Sequence, residues 1–229
     1  MSRLATLLVL AFFVLLEGLA PAAEIRGRIR IAPEFQLTPL FEAPGYWQLP
    51  NDVMEVQPPM VDARLEMVVE LKGSGLPKRA LVKPVLRIAD SRFMPPVLPV
   101  KSNAKITIIN KDTVGHLLET EGQRAERVSV GDEMTRSFAK AGTYRIGCTE
   151  VPHLVAEVFV SDAPVITLPD AGGNFAIPDI PSGSYILRIW YRGQLIYREP
   201  VAAKGTIRVD VDLKQRPAAK GKGKGKGKD

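Results

Sequence analysis

Cysteine and histidine are scarce in this chain, which has one Cys and two His among 229 residues. A single thiol excludes the framework of internal disulfides that stabilises many small exported domains. The thiol is therefore expected to be either a metal ligand or a buried, inert side chain.

Long apolar runs are scarce too. The run at residues 4–16 has 13 residues, fewer than the roughly 20 needed to span a bilayer core, and no later segment is long enough either.

The N-terminus has the features of a secretory signal peptide. Arg3 precedes the apolar run, Glu17 interrupts it, and residues 20–22 read Ala-Pro-Ala, the small residues that a signal peptidase needs. The sequence predicts a signal peptide over residues 1–22 and a periplasmic or extracellular protein. An uncleaved anchor helix is the alternative. Because no cysteine follows the run closely, a lipid-anchored lipoprotein is not expected.

Excess charge is confined to the C-terminus. Residues 214–229 contain six Lys and one Arg against one Asp, which equals the net charge of +6 of the whole chain. The alternating Gly and Lys offer no apolar surface to bury, so a disordered tail is predicted. The tail either contacts an anionic surface or serves as a solvated extension. No nucleic-acid partner is expected, because aromatic and basic residues do not interleave.

Helical periodicity is nearly absent after the signal peptide. Turn-forming residues such as Gly73-Ser74-Gly75 separate short runs that alternate or contain β-branched residues. These runs predict strands at residues 25–31, 65–71, 105–109, 143–148, 155–160, 185–190 and 206–213. The pattern predicts an all-β protein built of sandwiches. The Pro-rich residues 33–60 are expected to form an irregular loop, and residues 84–100 an edge segment rather than a central strand.

The side chains best able to bind a soft metal ion lie close together in the sequence. His116, Cys148 and His153 are the only histidines and the only cysteine of the chain. Two imidazoles and a thiolate form the trigonal ligand set of blue-copper sites, so the sequence predicts one copper ion held by these three residues. Zinc accepts the same donors. A thiol hydrolase is disfavoured, because no oxyanion motif or orienting acid stands out.

The context of these residues resembles the cupredoxins. The stretches IINKDTVGH (108–116), SFAKAGTYRIGC (137–148) and AEVFV (156–160) look like the plastocyanin and amicyanin type of that family. The resemblance covers about residues 84–162. It implies a Greek-key β-sandwich in which His116 and Cys148 are copper ligands.

The loop after Cys148 departs from the family pattern. In an ungapped comparison with the amicyanin-type loop, Val151 stands where the second histidine belongs and Leu154 where the axial methionine belongs. The spacing from Cys148 to His153 matches instead the Cys-x4-His spacing of the azurin type. Two outcomes are open: His153 completes a three-coordinate site that Leu154 caps, or the site has lost its metal.

The axial position has no standard ligand under either comparison. The azurin-type spacing places Glu157 there, and the amicyanin-type spacing places Leu154 there. A missing axial sulfur favours the cuprous state and raises the reduction potential. Met94 and Met134 are the candidates that could replace the sulfur from elsewhere.

A second resemblance concerns residues 172–190, GGNFAIPDIPSGSYILRIW, which are similar to the carboxypeptidase regulatory-like β-sandwich. By that resemblance the glycines serve turns and the aromatic side chains fill the core. The predicted organisation is N-terminal strands and a Pro-rich loop (23–83), the cupredoxin-like domain (84–162), the second sandwich (163–213) and the tail (214–229). If the strands near residues 24–31 and 65–71 belong to the second sandwich, the cupredoxin is inserted into it and that sandwich is discontinuous. Secreted proteins that join these modules are sometimes labelled methylamine-utilisation-like.

The predicted function is that of an exported, non-enzymatic copper-binding protein that carries single electrons to or from a redox partner protein. A metal-free cupredoxin fold that serves as a structural or adhesion module of the cell envelope is the alternative. A copper carrier or sensor, which would use the same ligands without a redox partner, is the third interpretation.

Overall fold

The computed structural model describes residues 22–33, 35, 62–78 and 84–214. Almost all of the signal peptide, of the Pro-rich loop at residues 33–60 and of the basic tail lies outside these described residues, so the expectations for them stay predictions. Within the described ranges, no helix is long and apolar enough to cross a membrane.

The described residues form sixteen β-strands and one short 3-10 helix, which confirms the predicted all-β class. In chain order they are β1 Ala22–Ile31, the 3-10 helix Ala63–Glu66, β2 Met67–Lys72, β3 Val85–Ala89, β4 Arg92–Met94, β5 Val97–Val100, β6 Lys105–Asn110, β7 His116–Thr120, β8 Gln123–Val128, β9 Glu133–Ser137, β10 Gly142–Cys148, β11 Val155–Val160, β12 Val165–Thr167, β13 Asn174–Pro181, β14 Gly183–Tyr191, β15 Gln194–Ala203 and β16 Thr206–Leu213.

Strands from both ends of the described chain build one sandwich, here called the terminal sandwich (β1, β2 and β12–β16). Its two sheets have the strand orders β13-β1-β16 and β12-β2-β14-β15. Side chains of a strand alternate between its two faces, and in β1 this alternation buries Ile25 and Ile29 completely. They share one core with Phe175, Tyr185 and Leu187.

The strands between β2 and β12 form the central sandwich (β3–β11). Its sheets have the orders β5-β11-β10-β7-β8 and β4-β3-β6-β9. Ile88 and Ile106 from one sheet meet Ile146 and Val158 from the other in a separate core. Because the chain leaves the terminal sandwich after β2 and returns to it at β12, the terminal sandwich is discontinuous and the central one is inserted into it.

The two sandwiches share a face along β11, whose six residues are all buried. Ala156 and Val158 point into the core of the central sandwich. Phe159 points the other way, into a third apolar cluster, where its ring centroid lies 5.5 Å from that of Trp190. Burial on both faces explains why the sequence of β11 is nearly continuous in apolar residues rather than alternating.

Polar side chains also join the two sandwiches. Glu70 on β2 is fully buried and accepts a hydrogen bond from Trp190 Nε1 at 2.7 Å, and it also binds the Arg188 guanidinium and the Ser161 hydroxyl. At the tip of the β14–β15 hairpin, Arg192 lies 3.5 Å from the Glu157 carboxylate. These contacts give the central sandwich a defined position against the terminal one.

Two sequence-based expectations for strands need correction. The run at residues 65–71 was expected to be strand throughout, but it begins inside the 3-10 helix, which Asp62 caps by accepting a hydrogen bond from the Arg64 N–H. Residues 84–100 were expected to form an edge segment. Their last two strands, β4 and β5, are edge strands, whereas β3 lies between β4 and β6 in its sheet. The prolines at 84, 95, 96 and 99 leave the five residues of β3 uninterrupted, so this strand can pair on both sides.

Candidate metal centre

His116 and Cys148 meet inside the central sandwich because their strands are neighbours. His116 begins β7 and Cys148 ends β10, and Cys148 pairs with Leu118 across the antiparallel ladder. Residues two apart on a strand share a face, so the side chains of His116 and Leu118 both point inward. His116 Nδ1 lies 3.7 Å from Cys148 Sγ, with the two side chains 0% and 6% exposed.

Asp112 holds the other side of the His116 ring. Its Oδ2 lies 3.2 Å from His116 Nε2 and also accepts the Ser91 N–H at 2.9 Å. A carboxylate accepts hydrogen bonds only, so we infer that Nε2 carries the imidazole proton. The lone pair of Nδ1 then faces the sulfur of Cys148.

The charge state of Asp112 is consistent with this role. Burial by itself raises the pKa of Asp112, but hydrogen bonds from the Ser91 N–H, the His116 side chain and the Thr113 N–H together hold that pKa below its usual value. The carboxyl group is therefore ionised at neutral pH and remains an acceptor for His116.

A buried asparagine shapes the loop that presents Asp112 and His116. Asn110 is completely buried at the end of β6, and its side-chain amide donates to the Val114 carbonyl at 2.8 Å and the Val128 carbonyl at 3.2 Å. Its Oδ1 accepts the Asp112 N–H at 2.9 Å. The motif that spans residues 110–116 thus fixes its own loop before any ligand binds.

The β10–β11 loop closes tightly over Cys148. The Cys148 N–H donates to the Leu154 carbonyl at 3.0 Å, and the Leu154 N–H donates to the Val151 carbonyl at 2.9 Å. The second bond closes a β-turn with Pro152 at its first central position, where proline is favoured. Leu154 is fully buried in the cluster that contains Cys148, and Val151 packs against the same cluster. Both apolar residues therefore contribute to the apolar core that contains the thiol.

His153 occupies the second central position of that turn and its side chain is exposed. Among the described residues, no group of three or more His, Cys, Asp or Glu side chains lies where it could hold one metal ion. The structure thus brings together two of the three predicted ligands, His116 and Cys148. A ligand role for His153 stays a prediction.

The candidates for an axial ligand lie in different surroundings. Glu157 points away from the central core towards Arg192, so it is not next to the sulfur. Met94 is 60% exposed, and Met134 is buried in the central core from β9, in the sheet opposite β7 and β10. Leu154 is the predicted axial residue whose backbone hydrogen-bonds directly to Cys148.

Asp112 is a residue of the candidate metal centre to which the sequence alone assigned no role. The four-residue spacing between Asp112 and His116 was visible in the sequence as part of a family-like motif. Nothing in the spacing alone showed that the carboxylate folds back onto the imidazole. A second signal was available in Asn110, since an asparagine at the end of a strand often hydrogen-bonds the backbone of the loop that follows.

Comparisons with solved structures match part of this chain. No protein-family model matches, and no curated protein matches either. Among solved structures, a purple cupredoxin from Nitrosopumilus maritimus is 20% identical over 34% of this chain and 98% of its own, with a TM-score of 0.32. The reduced Cu(I) form of an amicyanin mutant at pH 4 is 26% identical over 37% of this chain and 87% of its own, with a TM-score of 0.33. Another reduced amicyanin mutant is 22% identical over 40% and 99%, with a TM-score of 0.33.

Proposed function

We propose that this protein binds one copper ion through Cys148 and His116 and exchanges single electrons with a partner protein outside the cytoplasm. The observation that carries the proposal is the convergence of Cys148 Sγ and His116 Nδ1, 3.7 Å apart and buried. Asp112 orients the imidazole so that its unprotonated nitrogen faces the sulfur, as coordination of one metal ion by both groups requires.

The donor chemistry fits copper. A thiolate and an imidazole are the soft and borderline donors that copper sites use, and the neutral tautomer of His116 leaves Nδ1 able to coordinate. The contact between Asp112 and Nε2 is the kind of outer hydrogen bond that fixes a metal-binding imidazole and raises its basicity. Bound copper would supply a one-electron couple at this position. The strands and the closed loop would limit rearrangement around the ion.

The remaining parts of the proposal come from the sequence. The predicted signal peptide at residues 1–22 supports export to the periplasm or cell exterior, and the basic tail supports contact with an anionic surface. No catalytic role is proposed.

The terminal sandwich is proposed to be of the carboxypeptidase regulatory-like type, because Phe175 and Tyr185 fill its core as that resemblance implies. The Tyr185 hydroxyl also donates to the Pro181 carbonyl at 2.6 Å, which fixes the turn between β13 and β14.

Metal analysis of the mature chain tests the proposal. Protein with a reduced thiol is incubated with copper, freed of excess metal, and analysed for copper content beside Cys148→Ser and His116→Ala. We expect one copper per chain in the wild type and a loss of copper in both variants. Wild-type protein that retains no copper, with Cys148 still reactive to alkylating reagents after unfolding, would support the metal-free structural module instead.

A further inference from the structure

We propose that the β3–β4 hairpin turn is part of the metal centre, with Ser91 as a positioning residue that acts through Asp112. The Ser91 N–H holds the Asp112 carboxylate in place, and the carboxylate in turn keeps Nδ1 of His116 directed towards Cys148. This inference rests on the proposed copper-binding function and adds a residue to its site.

The hairpin turn reaches the site from a different part of the sheet. β3 pairs with β6 in parallel, with Ile88 beside Asn110, and the Lys111 N–H donates to the Ile88 carbonyl at 2.8 Å. The end of β3 therefore lies beside the start of the loop that carries Asp112. This pairing brings Ser91 next to Asp112, although the two residues are 21 positions apart in the sequence.

The turn has a backbone conformation that its residues adopt at a cost. Ala89 pairs with Arg92 across the hairpin, which leaves Asp90 and Ser91 as a two-residue loop. Their φ angles are 52° and 54°, in the left-handed region that disfavours residues with a Cβ. Positive φ at both central residues is typical of the type I′ turn, whose second central position usually holds glycine. Strain of this kind is a reason to look for a role at a nearby site, and the N–H of the strained Ser91 is bonded to Asp112.

One carboxylate oxygen joins the turn to the imidazole. Asp112 Oδ2 accepts the Ser91 N–H at 2.9 Å and lies 3.2 Å from His116 Nε2. The other oxygen, Oδ1, accepts the Thr113 N–H at 3.2 Å. The contact from Ser91 is thus the shortest of the three and the one that comes from outside the 110–116 loop.

Loss of the Ser91 N–H would leave Oδ2 without its backbone anchor, since the Thr113 N–H holds only Oδ1. The carboxylate could then turn away from His116 Nε2. An imidazole that loses its acceptor at Nε2 is no longer restricted to one tautomer, so part of the protein would carry the proton on Nδ1. That tautomer is unable to bind a metal ion through Nδ1.

Replacing the Ser91 amide by an ester removes the donor and keeps the side chain. The α-hydroxy acid analogue of serine is incorporated at position 91 of the full mature chain, and Ser91→Gly is the matched control, because it keeps the N–H and suits a positive φ. In metal-free protein labelled with ¹⁵N, we expect the ester variant to raise the fraction of His116 protonated at Nδ1 and Ser91→Gly to leave it unchanged. In competition with a copper chelator, we expect copper affinity to fall about 10-fold in the ester variant and to change by less than ~3-fold in Ser91→Gly.

A double-mutant cycle tests whether Ser91 acts through Asp112. In an Asp112→Ala background, the ester is expected to have no further effect on the His116 tautomer or on copper affinity. An equal effect in both backgrounds would overturn the inference, because a purely structural effect of the hairpin does not need the carboxylate. The wild type supplies a test without any variant: a scalar coupling from Ser91 N to Asp112 Cγ is expected across the hydrogen bond, and a rapidly exchanging Ser91 amide without that coupling would contradict it.

The possible results separate this inference from the function on which it rests. An ester variant with the His116 tautomer and copper affinity of the wild type would overturn the positioning role and leave copper binding intact. Wild-type protein that binds no copper in a Cys148-dependent way would overturn the proposed function, while the tautomer of the metal-free variants would still decide the role of Ser91. A tautomer change that the ester causes and Asp112→Ala abolishes supports the positioning role.

Discussion

Replacement of Glu70 by alanine is expected to weaken the attachment of the central sandwich to the terminal one. The Glu70 side chain is 1% exposed and pairs with Arg188, whose side chain is 17% exposed. Glu70 also accepts hydrogen bonds from Trp190 Nε1 and from the Ser161 hydroxyl, which lies just after β11. Glu70→Ala would leave the Arg188 charge and two polar groups without this acceptor inside the junction.

The magnitude follows from the burial of the pair. Breaking a buried ion pair from one side costs about 3–5 kcal/mol, because the remaining charge is left uncompensated. Since Arg188 keeps some exposure to solvent, which screens its charge, the lower end of about 3 kcal/mol is expected. With an m-value of about 2 kcal/mol/M, the urea midpoint would fall by roughly 1.5 M.

Equilibrium unfolding in urea measures this effect. Glu199→Ala is the matched control, since Glu199 is an exposed glutamate on β15 of the same sheet, and its loss is expected to be within about 0.5 kcal/mol. The double variant Glu70→Leu with Arg188→Met is expected to recover most of the loss, because it removes both charges together. A Glu70→Ala variant within about 1 kcal/mol of the wild type would refute a buried, paired carboxylate at the junction.

Three further variants test the site and the fold. Asp112→Asn is expected to weaken copper binding by about 10- to 100-fold in a chelator competition, because it weakens the acceptor for His116 Nε2. Unchanged copper affinity would mean that Asp112 does not position the His116 ring. Burial raises the pKa of Glu157 above its ordinary value of 4.5 despite Arg192, so the folded protein holds this proton more tightly than the unfolded chain. This contribution to stability is complete below about pH 4.5 and is lost as pH rises through the pKa of Glu157 in the folded protein. The stability of Glu157→Gln in urea titrations should therefore fall less steeply than that of the wild type as pH rises towards 7. An equal or steeper fall would contradict a raised pKa of Glu157. A Cβ on Gly27 would lie 2.2 Å from the Val209 carbonyl oxygen and 2.4 Å from the Phe175 ring. Gly27→Ala is therefore expected to lower the free energy of unfolding by about 2 kcal/mol or more. Gly115→Ala is the control with a smaller expected effect, because the nearest atom to its Cβ would be 3.5 Å away.

Much of the fold follows from local patterns in the sequence. Alternation in β1 and β14 shows that each has one buried face, and the continuous apolar run of β11 is explained by burial on both faces. The pairing of β1 with β13 and β16 joins residues some 150 to 180 positions apart, so no local pattern specifies it. The sequence supported it only through the resemblance to a discontinuous sandwich.

The candidate site was predictable in its donors and less so in its geometry. The scarcity of histidine and cysteine led directly to His116 and Cys148, which the structure brings together. Spacing alone favoured His153, but side-chain direction depends on the turn that follows Cys148. Pro152 at the first central position of that turn was a sequence signal that the following residue sits at an exposed tip. The buried Glu70 could not be predicted, because a glutamate in a strand is usually on the solvent side.

Nitrogen NMR of the two histidine side chains tests the central claim most directly. The chain has only two imidazoles, so His153→Ala identifies which signals belong to His116. Copper in the Cu(I) state is diamagnetic, and one equivalent is added to protein labelled with ¹⁵N. We expect the Nδ1 resonance of His116 to shift and its Nε2 to keep a proton. Signals of His116 that do not respond to the added Cu(I) would contradict a copper site built on His116 and Cys148.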